Sequence, residues 1–135
     1  MKYLLDTNTC IRYINGASQP IFDRLNAQHE GAVAVCSVVK AELFYGALRS
    51  RNPTKTLAGQ QRFLALFVSL PFDDLAAEHY GRIRADLSHA GTPIGGNDLL
   101  IAAIALTHDL SVVTHNVKEF GRVAALQIED WETLP

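Results

Sequence analysis

Apolar residues in this chain arrive in short unbroken runs that alternate with stretches of helical period, and this alternation predicts the architecture. Tyr3-Leu4-Leu5, Ala32-Val33-Ala34-Val35-Cys36 and Leu110-Ser111-Val112-Val113-Thr114 show no polar alternation and fit strands buried on both faces. Val68-Ser69-Leu70-Pro71-Phe72 reads as a short strand that Pro71 assigns to an edge. Leu126-Gln127-Ile128 reads as a last edge strand. Helices are predicted from Thr9 to Ile14, stopped at Asn15-Gly16, and from Ser18-Gln19-Pro20 with Ile21, Phe22 and Leu25 on one face. A third runs from Val38 to about Arg49 with Ser37 as its N-cap, and a fourth opens at Asn52-Pro53 with Leu57, Phe63, Leu64 and Phe67 on its apolar face. Asp73 or Asp74 caps a helix from Leu75 to about His89. Leu99 to Leu106 is apolar on every side and is expected at the centre of the packing. Strands alternating with helices predict one α/β domain over residues 1–135, a three-layer α/β/α arrangement around a parallel sheet of four to five strands.

The 48% hydrophobic content and 135 residues fit one globular domain with a real core. No apolar run is long enough to span a membrane, and the N-terminus lacks a basic-then-apolar leader, so a cytoplasmic protein is expected. Cys10 and Cys36 lack metal-type spacing and read as reduced, buried thiols. A net charge of −2 excludes nucleic-acid binding by global charge alone. Such binding needs a local basic patch or bound cations.

Candidate chemistry begins at Asp6, which leaves the first strand ahead of Thr7-Asn8. In an open parallel sheet, ligands bind beyond the carboxyl ends of the strands. Taken alone, Asp6 reads first as the cap of the following helix. Glu42 is more informative: helical spacing sets it beside Val38, Val39, Tyr45 and Gly46. A lone carboxylate on an apolar face costs several kcal/mol unless it is paired or metal-bound. Lys40 and Arg82 are its candidate ion-pair partners. The breaker-rich loop from Ala90 to Gly96 delivers Asp98 to the start of the most apolar helix, where Asn97 is already available as a cap. Asn116 to Glu119 follow the strand that ends at Thr114. If these groups converge, the carboxylates repel one another, and Mg²⁺ or Mn²⁺ is the natural neutraliser for oxygen ligands. Metal-assisted hydrolysis of a phosphodiester is the reaction class that follows.

Leu4-Leu5-Asp6-Thr7-Asn8, Val39-Lys40-Ala41-Glu42-Leu43, Thr92-Pro93-Ile94-Gly95-Gly96-Asn97-Asp98, Val113-Thr114-His115-Asn116 and Ile128-Glu129-Asp130-Trp131 together resemble the PIN-domain ribonucleases, most closely the VapC toxins of bacterial toxin–antitoxin pairs. The resemblance spans nearly the whole chain and is carried by the order and spacing of the motifs. It implies a Mg²⁺- or Mn²⁺-dependent endoribonuclease, a homodimer that assembles further with a VapB-type antitoxin, and a structured RNA substrate, transfer RNA ahead of ribosomal RNA. Asp6, Glu42 and Asp98 fall on the family's main acidic positions, and Asn116 on a fourth that is often Asp. Asp6 and Asp98 are the implied metal ligands, with Glu42, Asn116 and Glu119 as further ligands, direct or through water. An amide at position 116 implies weaker binding of a second ion.

Thr7, Asn8 and Thr114 are candidates to orient a carboxylate or a water, beside their ordinary turn and cap duties. His115 reads as a surface residue, and His29, His79, His89 and His108 lack ligand spacing. Arg49, Arg51 and Lys55, with Arg62, are candidates to grip RNA phosphates. Phe44 and Tyr45 read as core ahead of base-stacking residues. The surface of Phe44, Tyr45, Leu48, Leu57, Phe63 and Phe67 holds more apolar area than one small domain buries, which points to a second copy. The rival enzyme class is a phosphatase of the haloacid-dehalogenase type, which wants an acid where Asn8 stands. A phospho-receiver domain wants an acceptor Asp where Ser37 stands. A degenerate metal-binding or dimerisation module is the non-enzyme alternative.

Overall fold

In the computed structural model, which describes residues 1–133, five parallel strands form one sheet: β1 (Tyr3–Leu5), β2 (Val33–Cys36), β3 (Val68–Leu70), β4 (Ser111–Val113) and β5 (Ile128–Glu129). Their order across the sheet is β3-β2-β1-β4-β5. Leu4 lies opposite Ala34 on one side and Val112 on the other. Every residue of β1, β2 and β4 is buried. Successive strand side chains point to opposite faces, so both faces of the central strands are covered, and the layers are the three predicted. The Pro71-containing run and the last strand are both at edges, as expected. The last strand is displaced, however: Ile128 pairs with Val112 and Glu129 with Val113, while Leu126 packs on the core ahead of the strand.

The helices are α1 (Thr7–Ile14), α2 (Gln19–Asn26), α3 (Ser37–Leu48), α4 (Pro53–Leu64), α5 (Asp74–His89), α6 (Gly96–Thr107) and α7 (Val117–Phe120). Ser18, Asn52 and Asp73 each accept a backbone N–H as N-caps, in the predicted positions. Gly16, at φ +64°, takes the left-handed turn that ends α1, and Ala17 N–H closes it on the carbonyl of Arg12 at 2.9 Å. α6 is buried at Leu99 and from Ile101 through Ala105, the central position its composition predicts. Cys10 and Cys36 are free and buried, and burial pushes both thiols up.

Three further expectations are corrected. α1 starts at Thr7 rather than Thr9, because Asp6 itself is the cap. β2 runs into α3 without a loop, so Cys36, still extended, occupies the cap position and Ser37 lies inside the helix. The Ser37 hydroxyl instead donates to the carbonyl of Leu70 at 3.4 Å. α6 begins at Gly96 with Gly95 as its cap, which sets Asn97 within the first turn. Of the apolar surface expected to pack in part against a second copy, Phe63 is buried, and Phe44 and Phe67 pack partly against the core. Of those six residues, Tyr45 (63% exposed) and Leu48 (64%) stand out into solvent.

Candidate active site

Because all five strands run in parallel, their carboxyl ends share one edge, and β1 and β4 deliver Asp6, Thr114 and Asn116 there. Asp6 is 5% exposed. Its Oδ1 accepts the backbone N–H of Thr9 at 2.9 Å, and Thr114, whose hydroxyl accepts the Asn116 N–H at 2.9 Å, stands close enough to favour its charged form. The Thr9 hydroxyl donates to the carbonyl of Val113 at 3.1 Å, tying the first turn of α1 to the neighbouring strand. Burial raises the pKa of Asp6 and the charge of Glu42 adds to the rise, against the opposing effect of Thr114 and Thr9. Asp6 is therefore both the helix cap and a member of the acidic group.

Glu42 projects from α3 toward the start of α1, where the Thr7 hydroxyl donates to its Oε1 at 2.6 Å. Among the described residues neither Lys40 nor Arg82 pairs with it. It stands between two cavities. One, of about 240 Å³, is lined by Ile11, Ile14, Leu43 and Gln60. The other, of about 410 Å³, lies between α3 and α6 and is lined by Ser37, Tyr45, Asn97 and Leu100.

Asp98, half-buried in the first turn of α6, is pushed up to about 6 by burial and then by the charges of Glu119, Asp6 and Glu42. The Asn116 Nδ2 bridges two acids, donating to Asp98 Oδ2 at 3.3 Å and to Glu119 Oε2 at 2.6 Å. Glu119 Oε1 accepts the Gly95 N–H at 3.2 Å. The Asn116 hydrogen bond, and then that of Gly95, hold the Glu119 carboxyl below its ordinary range. Asp6, Glu42 and Asp98 thus share one electrostatic field, and Asn116 and Glu119 join it through Asp98. None of those three carboxylates has a Lys or Arg partner among the described residues. Carboxylates without a basic partner are the donor type that hard divalent cations take, although among the described residues no three of these acids bring their oxygens within 4.8 Å of one another; burial first, and then the neighbouring acids, raise Asp98. The residues fit such an ion.

The Thr7 hydroxyl donates to Glu42 and Thr114 lies beside Asp6, whereas Asn8 is exposed and, among the described residues, makes no side-chain bond to the acids. Each oxygen of Glu119 accepts one hydrogen bond, and through them it buttresses Asn116. Thr9 was missing from the predicted set, because its hydroxyl finds its partner at Val113, 104 residues along the chain, where no local pattern signals it. Arg49, Arg51 and Lys55 are exposed. Tyr45, expected in the core, is exposed instead, with the Arg49 guanidinium 5.3 Å from its ring centre. His115 is on the surface as expected, but it is not alone: its Nδ1 lies 2.9 Å from Asp130 Oδ2 and 3.2 Å from Glu132 Oε2. This is the one trio of metal-capable side chains within 4.8 Å of one another among the described residues. Arg12 already pairs with Glu132, and Arg24 donates to the carbonyl of Asp130 at 2.9 Å. The trio therefore reads as a clamp on the C-terminal segment, assembled across the β4–β5 pairing and invisible in local sequence.

Residues 3–126 match the PIN domain family. The tRNA(fMet)-specific endonuclease VapC of Salmonella typhimurium is 40% identical over 131 residues, covering 97% of this chain and 98% of the relative. Ribonuclease VapC2 of Haemophilus influenzae is 41% identical with the same coverage. Among solved structures, DNA-bound VapBC from Salmonella typhimurium superposes with a TM-score of 0.92 at 40% identity, over 97% of this chain and 98% of the other. VapBC2 from Rickettsia felis, bound to a DNA fragment from its promoter, gives 0.90 at 34% identity, over 97% and 99%. With the fold, the parallel-edge acids and these relatives in agreement, the chain belongs to the PIN-domain family, within its VapC ribonucleases.

Proposed function

We propose that this protein is a toxin-type endoribonuclease that uses Mg²⁺ or Mn²⁺ to cut transfer RNA in the cytoplasm, that it works as a homodimer, and that a VapB-type antitoxin silences it. The observation that carries the reading is that Asp6, Glu42 and Asp98 repel one another beyond the carboxyl ends of the strands with no Lys or Arg partner among the described residues. Asp6 and Asp98 would hold the ion, with Glu42 and the Asn116 amide oxygen reaching it directly or through water. When bound, such an ion lowers the pKa of a water and offsets phosphate charge.

The chain's own groups do the positioning. Thr7 fixes Glu42, while Thr9 fixes Asp6 with Thr114 beside it, and Asn116 steadies Asp98 against Glu119. Arg49, Arg51 and Lys55 supply local positive charge to RNA that the net charge of −2 does not. An unpartnered acidic pocket also suits an inhibitor that inserts a basic side chain, and the VapBC structures pair a relative of this fold with its partner. The tRNA(fMet) specificity in the name of the Salmonella relative makes that RNA the first substrate to try.

Purified protein is expected to cut tRNA(fMet) in Mn²⁺ or Mg²⁺, leave ribosomal RNA intact, and lose cleavage on chelation or on Asp6→Asn. Intact tRNA under these conditions would refute the activity, and would favour a degenerate module if the ion still binds.

A further inference from the structure

We infer that Tyr45 is a substrate-binding residue, a platform on which an unpaired RNA base next to the cleaved phosphodiester stacks. The inference rests on the ribonuclease reading above and deepens it. Tyr45 is 63% exposed and lies in none of the ring-to-ring pairs, whereas the other exposed aromatics do: Phe22 stacks on Tyr13 and Phe72 meets Tyr80 edge-on. A single exposed ring is ordinary in itself; what marks this one is its place beside the acids.

Its position says which partner. Tyr45 is three residues beyond Glu42, on the same flank of α3, a separation of roughly 4.5 Å along the axis. Both residues line the cavity between α3 and α6, and so does Asn97, the neighbour of Asp98. Tyr45 thus shares that cavity with Glu42, the one member of the acidic group that lines it. A nucleotide chain with its phosphate at the acids passes the ring with its next base.

Arg49 completes the set. Its guanidinium lies 5.3 Å from the Tyr45 ring centre, and its Nη1 donates to the Tyr45 hydroxyl at 3.3 Å. The ring is thereby oriented, and a cation stands beside it for the adjoining phosphate. Aromatic rings flanked by Arg along a phosphate path are how proteins hold single-stranded nucleic acid. Val38, Ala41 and Leu100 line the same cavity, and an acid precedes the ring by one turn while a cation follows it by one, a setting that suits a base carrying its phosphate.

The test uses a stem-loop of tRNA(fMet) with 2-aminopurine placed on either side of the mapped cut. Binding is followed by fluorescence in full-length protein carrying Asp6→Asn to block cleavage, and KM and kcat are measured in the otherwise native protein. One of the two probe positions is expected to be quenched on binding. Tyr45→Phe and Tyr45→Trp should keep the quenching, whereas Tyr45→Ala and the helix-compatible Tyr45→Leu should lose it. The latter two should also raise KM roughly 5- to 100-fold with kcat changed by no more than about twofold. Unchanged quenching and KM in Tyr45→Leu would overturn the inference while leaving the ribonuclease reading in place. So would a drop from dimer to monomer in Tyr45→Leu by light scattering, since a second copy would then cover the ring. Wild-type protein that leaves the RNA uncut fails the ribonuclease reading instead.

Discussion

Asp98 shows how one side chain carries the conflict built into the acidic group. Its carboxyl titrates at about 6 in the folded protein, against roughly 3.9 in an unfolded chain. The native state therefore holds the proton more tightly between those values. In metal-free solution this contribution to stability is full below about pH 4 and is lost as pH rises through 6. The group is half-exposed, so screening reduces the effect to the order of 1 kcal/mol. Asp98→Asn removes it. In chelator, the variant is expected to unfold at higher denaturant than wild type at pH 7.5, with the advantage gone by pH 4, while RNA cleavage is lost. Identical midpoints at pH 7.5 would show that the neighbouring charges do not strain the native state. Asn116 is the complementary case. Its amide was expected to weaken metal binding by lacking charge, but here it also supplies the donor that keeps Asp98 and Glu119 side by side.

At the scale of elements, α3 is the member that reaches the site from within the helical layers. It meets α1 through the Thr7–Glu42 bond and α4 through Gln60, whose Nε2 donates to the carbonyl of Leu43 at 2.9 Å. That carbonyl lies mid-helix, where α-helical pairing already satisfies it, and Gln60 Oε1 is buried without a partner. A buried unpaired acceptor costs roughly 1–3 kcal/mol. Gln60→Met keeps the length of the side chain and removes the polar atoms. It should leave stability unchanged or raise it by about 1 kcal/mol, read from the urea midpoint, with Glu42 and cleavage unaffected. A loss of more than about 1 kcal/mol would show that the amide holds α4 onto α3.

For the whole molecule, the parallel sheet gathers like charges at one edge and leaves their neutralisation to an ion. A ligand that binds only the native state stabilises it by about 2.7 kcal/mol at a hundredfold excess over Kd. For a domain of this size that corresponds to roughly 5–10 °C in Tm. Saturating Mn²⁺ is expected to raise Tm by that amount in wild type and not in Asp6→Asn. His115→Ala should retain the shift, because the His115 trio is already compensated by Arg12. Retention in Asp6→Asn together with loss in His115→Ala would move the ion to the C-terminal clamp.

The sequence by itself determined what short-range physics controls. Unbroken apolar runs of three to five residues declared the central strands, Pro71 sent β3 to an edge, and Ser18, Asn52 and Asp73 marked helix starts, because cap and turn chemistry acts within a few residues. Asp6, Glu42 and Asp98 were legible for the same reason, as carboxylates where strand ends or apolar helix faces leave them exposed to penalty. Tertiary structure alone decided the partners. Thr7 and Glu42 are 35 residues apart, and His115 and Asp130 are 15 apart but joined across two strands. Tyr45 was misread because the apolar residues of α3 are spread around the helix and not gathered on one side, so periodicity says little about which side faces water. Only the packing of α1, α4 and α6 against that helix turned one of its aromatic rings outward, beside the acids.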